Sequence, residues 1–222
     1  MPGVKALVTG VSRRAGIGYA IAARLHALGA EVLTQGYGEG DLPVDFDADL
    51  ADPEAPARIV DAARPLDTLV VNHALSELGH LHEVTAEQID AHLHVNVRAS
   101  LLLVKEFAAQ FQGENGSVVI ITSGSHLRPM TREVAYAVSK GALAIAVKTL
   151  SAELIERGIR VNGVNPGPTA TGWTEGLEPT RMPSGRWGEP DDAARLVAWL
   201  CSDDGRWVTG QAIDSEGGFR RS

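Results

Sequence analysis

Thr9-Gly10-Val11-Ser12-Arg13-Arg14-Ala15-Gly16-Ile17-Gly18 joins two runs of opposite character. Before it, Val4 to Val8 is short and apolar and reads as a β-strand. After it, Ile17 to Leu28 places Ile21 and Leu25 four apart on one face and stops at Gly29, which reads as a helix. A glycine-rich turn from strand into helix lets the backbone approach a pyrophosphate, and the helix N-terminus offers free N–H groups and a favourable dipole. Glycines also end strands for purely structural reasons, so their placement carries the nucleotide reading more than their number does. On that reading Gly10, Ser12, Arg13, Arg14, Gly16, Ile17 and Gly18 contact a dinucleotide.

Outward from this turn, short β-branched runs alternate with longer Ala-rich ones, the pattern of βαβ units around a parallel sheet. Glu31 to Thr34, Leu69 to Val71, Val118 to Ile121, Val161 to Val164 and Ala212 to Asp214 read as further strands. Helices are expected over Ala86 to Phe111, Ala135 to Arg157 and Asp191 to Cys201. The expected fold is a single doubly wound α/β Rossmann-type domain over residues 1–222, with a parallel sheet of about seven strands. Thr34 to Val44 holds Gly36, Gly38, Gly40 and Pro43 and is too short for a helical crossover. The helix between strands two and three is therefore expected to be shortened or absent, leaving the adenine side of the site open.

The 222 residues suffice for one large core without metal or disulfide staples. Cys201 is the single cysteine and cannot form an internal disulfide, which fits a reducing compartment. No apolar run reaches membrane-spanning length, and Met1-Pro2-Gly3 leads directly into the first strand, so no leader is expected and the setting expected is cytoplasmic. The net charge of -8 argues against a nucleic-acid or anionic-membrane partner.

NAD-binding domains place Asp or Glu after strand two to hold the ribose 2′-OH. Here that region reads Thr34-Gln35-Gly36-Tyr37, without a carboxylate, while Arg13 and Arg14 stand where a guanidinium could meet a 2′-phosphate. Both facts point to NADP(H) in preference to NAD(H); the competing reading is that the arginines are solvated loop charges. If the strand-two reading holds, Gly36→Asp should favour NAD.

Tyr136-Ala137-Val138-Ser139-Lys140 opens a helix and sets Tyr136 and Lys140 one turn apart. An ammonium nearby favours the phenolate and would lower the tyrosine pKa from about 10, making it a general acid or base for an alcohol oxygen. Taken alone, such a pair is more often a chance neighbour on a helix surface. Ser123, however, follows the strand Val118 to Ile121, at the strand end where doubly wound folds bind ligands. Asn72 ends the strand Leu69 to Val71, and Asn96 lies within a helix, where asparagine is a poor former.

These residues together resemble the short-chain dehydrogenase/reductase family nearly end to end. Ser123, Tyr136 and Lys140 match its Ser…Tyr-x-x-x-Lys pattern with the usual thirteen-position offset, and Asn96 matches the asparagine that completes the catalytic tetrad. Asp49-Leu50 resembles the pair that contacts adenine, and Asn72-His73-Ala74-Leu75 stands for the family's Asn-Asn-Ala-Gly. Pro166-Gly167-Pro168-Thr169-Ala170-Thr171 resembles the loop that holds the nicotinamide carboxamide. Arg186 to Pro190 and Thr209 to Phe219 resemble the C-terminal signature. Three departures stand out: five residues between Gly10 and Gly16 instead of three, His73 and Leu75 in the strand-four motif, and Glu216 where the family has Asp. The first, with Thr171-Gly172-Trp173, resembles a 3-oxoacyl-carrier-protein reductase-like subgroup.

The resemblance implies reversible reduction of a small carbonyl to an alcohol by hydride transfer from NADPH. Tyr136 would be the general acid/base, Lys140 would lower its pKa and bind the nicotinamide ribose, Ser123 would orient the carbonyl, and Asn96 would hold a carbonyl or water linking Lys140 to solvent. Asn72, Ala74, Asp49, Leu50, Pro166, Gly167, Thr169 and Thr171 would join the cofactor contacts. It also implies a homodimer or homotetramer, paired through the two long helices, and a small substrate-covering segment at about 172–187. The rivals are an NAD-dependent alcohol dehydrogenase of the same fold and a non-catalytic nucleotide sensor. His80, His82, His92 and His94 lack metal-site spacing, so no metal is expected. His126 either lines the pocket or faces solvent.

Overall fold

The computed structural model describes residues 1–172, 178–180 and 182–219. Seven parallel strands form one sheet in the order β3-β2-β1-β4-β5-β6-β7. They are β1 (Lys5–Val8), β2 (Glu31–Gly36), β3 (Phe46–Asp47), β4 (Thr68–Val71), β5 (Gly116–Ile121), β6 (Ile159–Asn165) and β7 (Ala212–Asp214). The order reverses between β1 and β4, and a crevice for a ligand opens at the carboxyl ends beside such a switch point.

The strands sort their side chains with period two. Leu7, Leu69, Val71, Val118 and Ile120 face one layer, while Ala6, Val8, Val70, Val119 and Ile121 face the other. The first layer is covered by α2 (Ala55–Ala63), α4 (Ala99–Gln110) and α5 (Val134–Leu154), through Ile59, Leu103, Phe107 and Leu143. The second is covered by α1 (Ile17–Ala27) and α6 (Pro190–Cys201), through Ile21, Leu25, Val197 and Leu200. Burial on both faces is why the central strands are continuous apolar runs.

One expectation needs correction. The single helix expected over 86–111 is three pieces: α3 (Ala86–His92), a π-turn (Leu93–Arg98) and α4. The segment after β2 lacks a helix, as expected, and folds back onto the glycine loop. Asp41 N donates to Ser12 O at 3.0 Å and Arg14 N donates to the Asp41 carboxylate at 2.8 Å. A connector too short to pair its own backbone groups satisfies them on the glycine loop instead. The nine-residue α2 and the two-residue β3 were not foreseen.

Candidate active site

The glycine loop is held by its neighbours before any ligand arrives. Gly10 has φ +70°, and a Cβ there would stand 2.7 Å from His73 Cα; one on Gly18 would stand 2.5 Å from Gly10 O. The absent side chains let β1, α1 and the end of β4 close on one another. The Asn72 side-chain amide donates to Thr9 O at 3.1 Å and Gly10 O at 3.0 Å, so Asn72 braces the loop from below. Ala74 beyond it is exposed. Gln35 was missed by sequence reading. It is buried; Oε1 accepts from Gly10 N at 3.1 Å while Nε2 donates to Gly36 O at 2.9 Å and Ala48 O at 2.8 Å. The available signal was an amide in a strand that the fold buries.

At the start of α1, Gly16 is extended and no side chain among the described residues caps it, so Ile17 and Gly18 open an uncapped helix N-terminus suited to an anion. Ser12 is half-buried, and its Oγ accepts from Tyr37 N at 3.4 Å. Arg13 and Arg14 are exposed beside it, and the Arg14 guanidinium lies 5.9 Å from the Tyr19 ring centroid. A Cβ at Gly36 would stand 2.9 Å from Ser12 Oγ and 3.0 Å from Val11 O. Gly36→Asp would therefore reshape the loop as well as add a charge, and it does not isolate nucleotide choice. Asp49 turns its carboxylate to Ala51 N at 2.8 Å, and Leu50 is buried in the core.

The second half of the site lies at the ends of β5 and β6. Ser123 follows β5, buried, with Oγ accepting from Ser125 N at 3.3 Å. Tyr136 and Lys140 lie on α5, and the Lys140 ammonium donates to Ile121 O at 2.8 Å. That carbonyl is its one hydrogen-bond acceptor among the described residues, although the side chain is 2% exposed. Burial lowers the Lys140 pKa to about 8. Tyr136 moves opposite to expectation: burial first, then the Glu133 carboxylate, push the phenol up to about 12. Desolvation of a phenolate, with the Glu133 carboxylate beside it, favours the neutral phenol.

Asn96 sits in the π-turn, fully buried, with Oδ1 accepting from Leu75 N at 2.7 Å. Its Nδ2 donates to Leu75 O and to Ser139 Oγ, each at 2.9 Å, and Ser139 Oγ donates to Tyr136 O at 2.8 Å. Asn96 thus reaches the tyrosine helix through Ser139, and its amide holds Leu75 O.

After β6, Thr169 is buried with its hydroxyl on Pro166 O and Gly167 O, both at 3.2 Å, and Thr171 N donates to Thr169 O at 2.9 Å. Gly167 N donates to Asn165 Oδ1 at 3.0 Å, and Asn165 Nδ2 donates to Asp214 Oδ1 at 2.8 Å and Glu216 Oε1 at 2.6 Å. Glu216, the departure from the family pattern, therefore supports this loop from below. His126 is partly exposed, with Nε2 3.7 Å from Asp214 Oδ1. Residues 173–177 and 181, within the expected substrate-covering segment 172–187, lie outside the described residues. No group of three potential metal ligands occurs among the described residues, nor is any helix there long and apolar enough to cross a membrane. A cavity of about 290 Å³ lined by Val4, Thr68, Asn115 and Cys201 opens at the opposite, amino-terminal ends of the strands.

A dinucleotide fits the carboxyl-end site. One end is an uncapped helix N-terminus bordered by two arginines, and the other holds a buried ammonium with donors to spare beside the Pro166–Thr171 loop. Comparison with known proteins agrees. The family described as Enoyl-(Acyl carrier protein) reductase matches residues 10–220. An uncharacterized oxidoreductase of Bacillus subtilis is 37% identical over 97% of this chain and 96% of its own. The 3-oxoacyl-[acyl-carrier-protein] reductase of Rickettsia conorii is 32% identical over 99% and 98%. A short chain dehydrogenase from Burkholderia cenocepacia, solved in complex with NADP, superposes with a TM-score of 0.88 at 35% identity, covering 98% of each chain. The chain belongs to the short-chain dehydrogenase/reductase family and is an oxidoreductase acting on alcohol and carbonyl groups.

Proposed function

We propose that the chain is an NADPH-dependent carbonyl reductase, reversible in principle, with Tyr136 as general acid/base. Lys140 carries the reading: an ammonium buried one turn after Tyr136 at the carboxyl edge of the sheet, with one acceptor among the described residues. Such a group stays buried where a ligand supplies its remaining partners. When bound, NADPH supplies the hydride. The uncapped start of α1, Ser12, Arg13 and Arg14 would hold its phosphates, and Lys140 with the Pro166–Thr171 loop its nicotinamide half. Tyr136, protonated at neutral pH, donates its proton to the carbonyl oxygen, and Ser123 Oγ donates a hydrogen bond to the same atom. The segment 172–187 would cover the substrate.

The relative solved with NADP supports the choice of nucleotide, as do the exposed Arg13 and Arg14. One observation favours NAD instead: Asp41 sets a carboxylate against the glycine loop, where it could take a ribose hydroxyl. Titrating NADPH and NADH separately, by nicotinamide fluorescence, decides. Tighter NADPH binding is expected; tighter NADH binding would reverse the nucleotide assignment, and binding of neither would overturn the nicotinamide-dinucleotide reading of the site. Self-association is supported by exposed Leu101 on α4 and exposed Val138 and Ile145 on α5. Buried, unpaired Cys201 supports a reducing, cytoplasmic setting.

A further inference from the structure

His73 occupies the place of the second asparagine in the strand-four motif, and its imidazole turns inward. It is 6% exposed, with Nδ1 2.8 Å from Thr9 Oγ1 and Nε2 3.0 Å from Val95 O. A carbonyl only accepts, so Nε2 carries the hydrogen, and in a neutral ring Nδ1 must then accept from the Thr9 hydroxyl. Burial, and after it the charge of Lys140, depress the His73 pKa to about 3, so the ring is neutral across the working range.

Thr9 and Val95 belong to different parts of the site, and Ser100 Oγ, 3.5 Å from Nε2, stands on the Val95 side. Thr9 leads into the glycine loop: Asn72 N donates to its hydroxyl at 3.0 Å, and the Asn72 amide grips its carbonyl. Val95 lies in the π-turn immediately before Asn96, whose carbonyl takes the Ser100 hydroxyl at 2.6 Å and whose amide leads through Ser139 to Tyr136 O. A π-turn strains the regular hydrogen-bond ladder and needs support from outside the helix. Leu75 and Ser139 support it through Asn96, Ala51 O takes the Arg98 guanidinium, and His73 takes Val95 O.

We propose that His73 is a positioning residue that couples the glycine loop to the π-turn carrying Asn96, so that a nucleotide on the loop is felt at the tyrosine helix. It touches neither substrate nor reacting atoms. The nucleotide part rests on the proposed function; the support of the π-turn does not.

The two nitrogens can be separated by substitution. His73→Asn sets a side-chain amide near the place of Nδ1, keeping Thr9 and losing Val95, whereas His73→Gln reaches the place of Nε2 and keeps Val95. Amide hydrogen exchange at 93–98 reads the result, with and without NADPH, and β6 serves as the internal control. The expected outcome is exchange at 93–98 at least tenfold faster in His73→Asn than in the parent, rescue in His73→Gln, and an unchanged β6. NADPH should protect 93–98 in the parent and not in His73→Asn that still binds NADPH. Parent-like exchange in His73→Asn overturns the proposal, and so does NADPH bound to the parent without protection of 93–98. A parent that binds no NADPH overturns the cofactor reading instead, and the ligand-free comparison still judges the support of the π-turn. Should His73→Asn not fold, nitrogen-15 spectra of the parent's histidines decide: a neutral Nε2–H ring from pH 5 to 8 is expected, and a charged or Nδ1–H ring overturns the assignment.

Discussion

Glu133 lies three residues before Tyr136 at the start of α5, and its half-buried carboxylate adds to burial in keeping the phenol protonated. Removing that charge makes the phenolate less unfavourable, so the pKa falls from about 12. With a carbonyl substrate, reduction by the parent should hold its rate through neutral pH and decline only in strong alkali. In Glu133→Gln the decline should begin at lower pH, with alcohol oxidation gaining near neutrality. Superimposable pH–rate profiles would sink the idea.

Tyr136→Phe removes the proton donor and little else. Turnover should fall at least about 100-fold, while the NADPH dissociation constant stays within about twofold of the parent's. A matching loss of binding would mean that the hydroxyl holds the nucleotide rather than the reacting oxygen.

Lys140 makes the chain pH-sensitive in a direction that can be worked out. Its pKa falls from 10.5 to about 8 on burial. Between those values the unfolded chain holds a proton that the folded chain lacks, so this group makes stability rise with pH across that window. The penalty at pH 7 is about 3 kcal/mol, and stripping Ile121 O of its donor costs about 1–3 kcal/mol. Lys140→Met should therefore lie within about 2 kcal/mol of the parent at pH 7 and lack the gain between pH 8 and 10.5. Urea denaturation across that range checks it, and parallel curves for the two chains count against it.

Gly40 tests the strap over the glycine loop. A Cβ there would stand 2.3 Å from Ser12 O, a backbone atom that cannot swing aside. Gly40→Ala should cost about 1–3 kcal/mol in urea denaturation and weaken NADPH binding about tenfold, or about 1.4 kcal/mol. Gly38→Ala is the control: its φ is +74° and nothing lies within 4 Å of the new Cβ. It should cost about 1 kcal/mol of backbone strain and leave NADPH binding alone. Equal effects of the two substitutions would mean that strap and loop are independent.

Much of the fold could be read because β-branched strands buried on both faces announce themselves, as Val118 to Ile121 does. The Tyr136–Lys140 spacing was legible for a similar local reason, since one helical turn fixes it. What stayed hidden depends on distant partners. The π-turn at Leu93–Arg98 carries no local signal, because its supports, Leu75, His73 and Ser139 among them, are distant in sequence. Gln35 reads as an ordinary polar residue until Gly10 and Ala48 close around it. The upward shift at Tyr136 was missed because spacing shows the ammonium nearby and not the burial that opposes it. Asp41 looks like a loop charge until the strap folds back onto Arg14.

The π-turn also sets the rotational phase of α4. Each residue turns a helix by about 100°, so the wider turn between His92 and Ala99 rotates α4 relative to the axis of α3. Past that turn, Leu103 and Phe107 of α4 lie in the core. Deleting one residue from 93–98 to restore regular winding would swing the apolar stripe of α4 toward solvent, even with every residue of the stripe unchanged. A regularly wound helix put in its place would therefore be out of step here, and the stretch from α3 to α4 is exchangeable only as one piece.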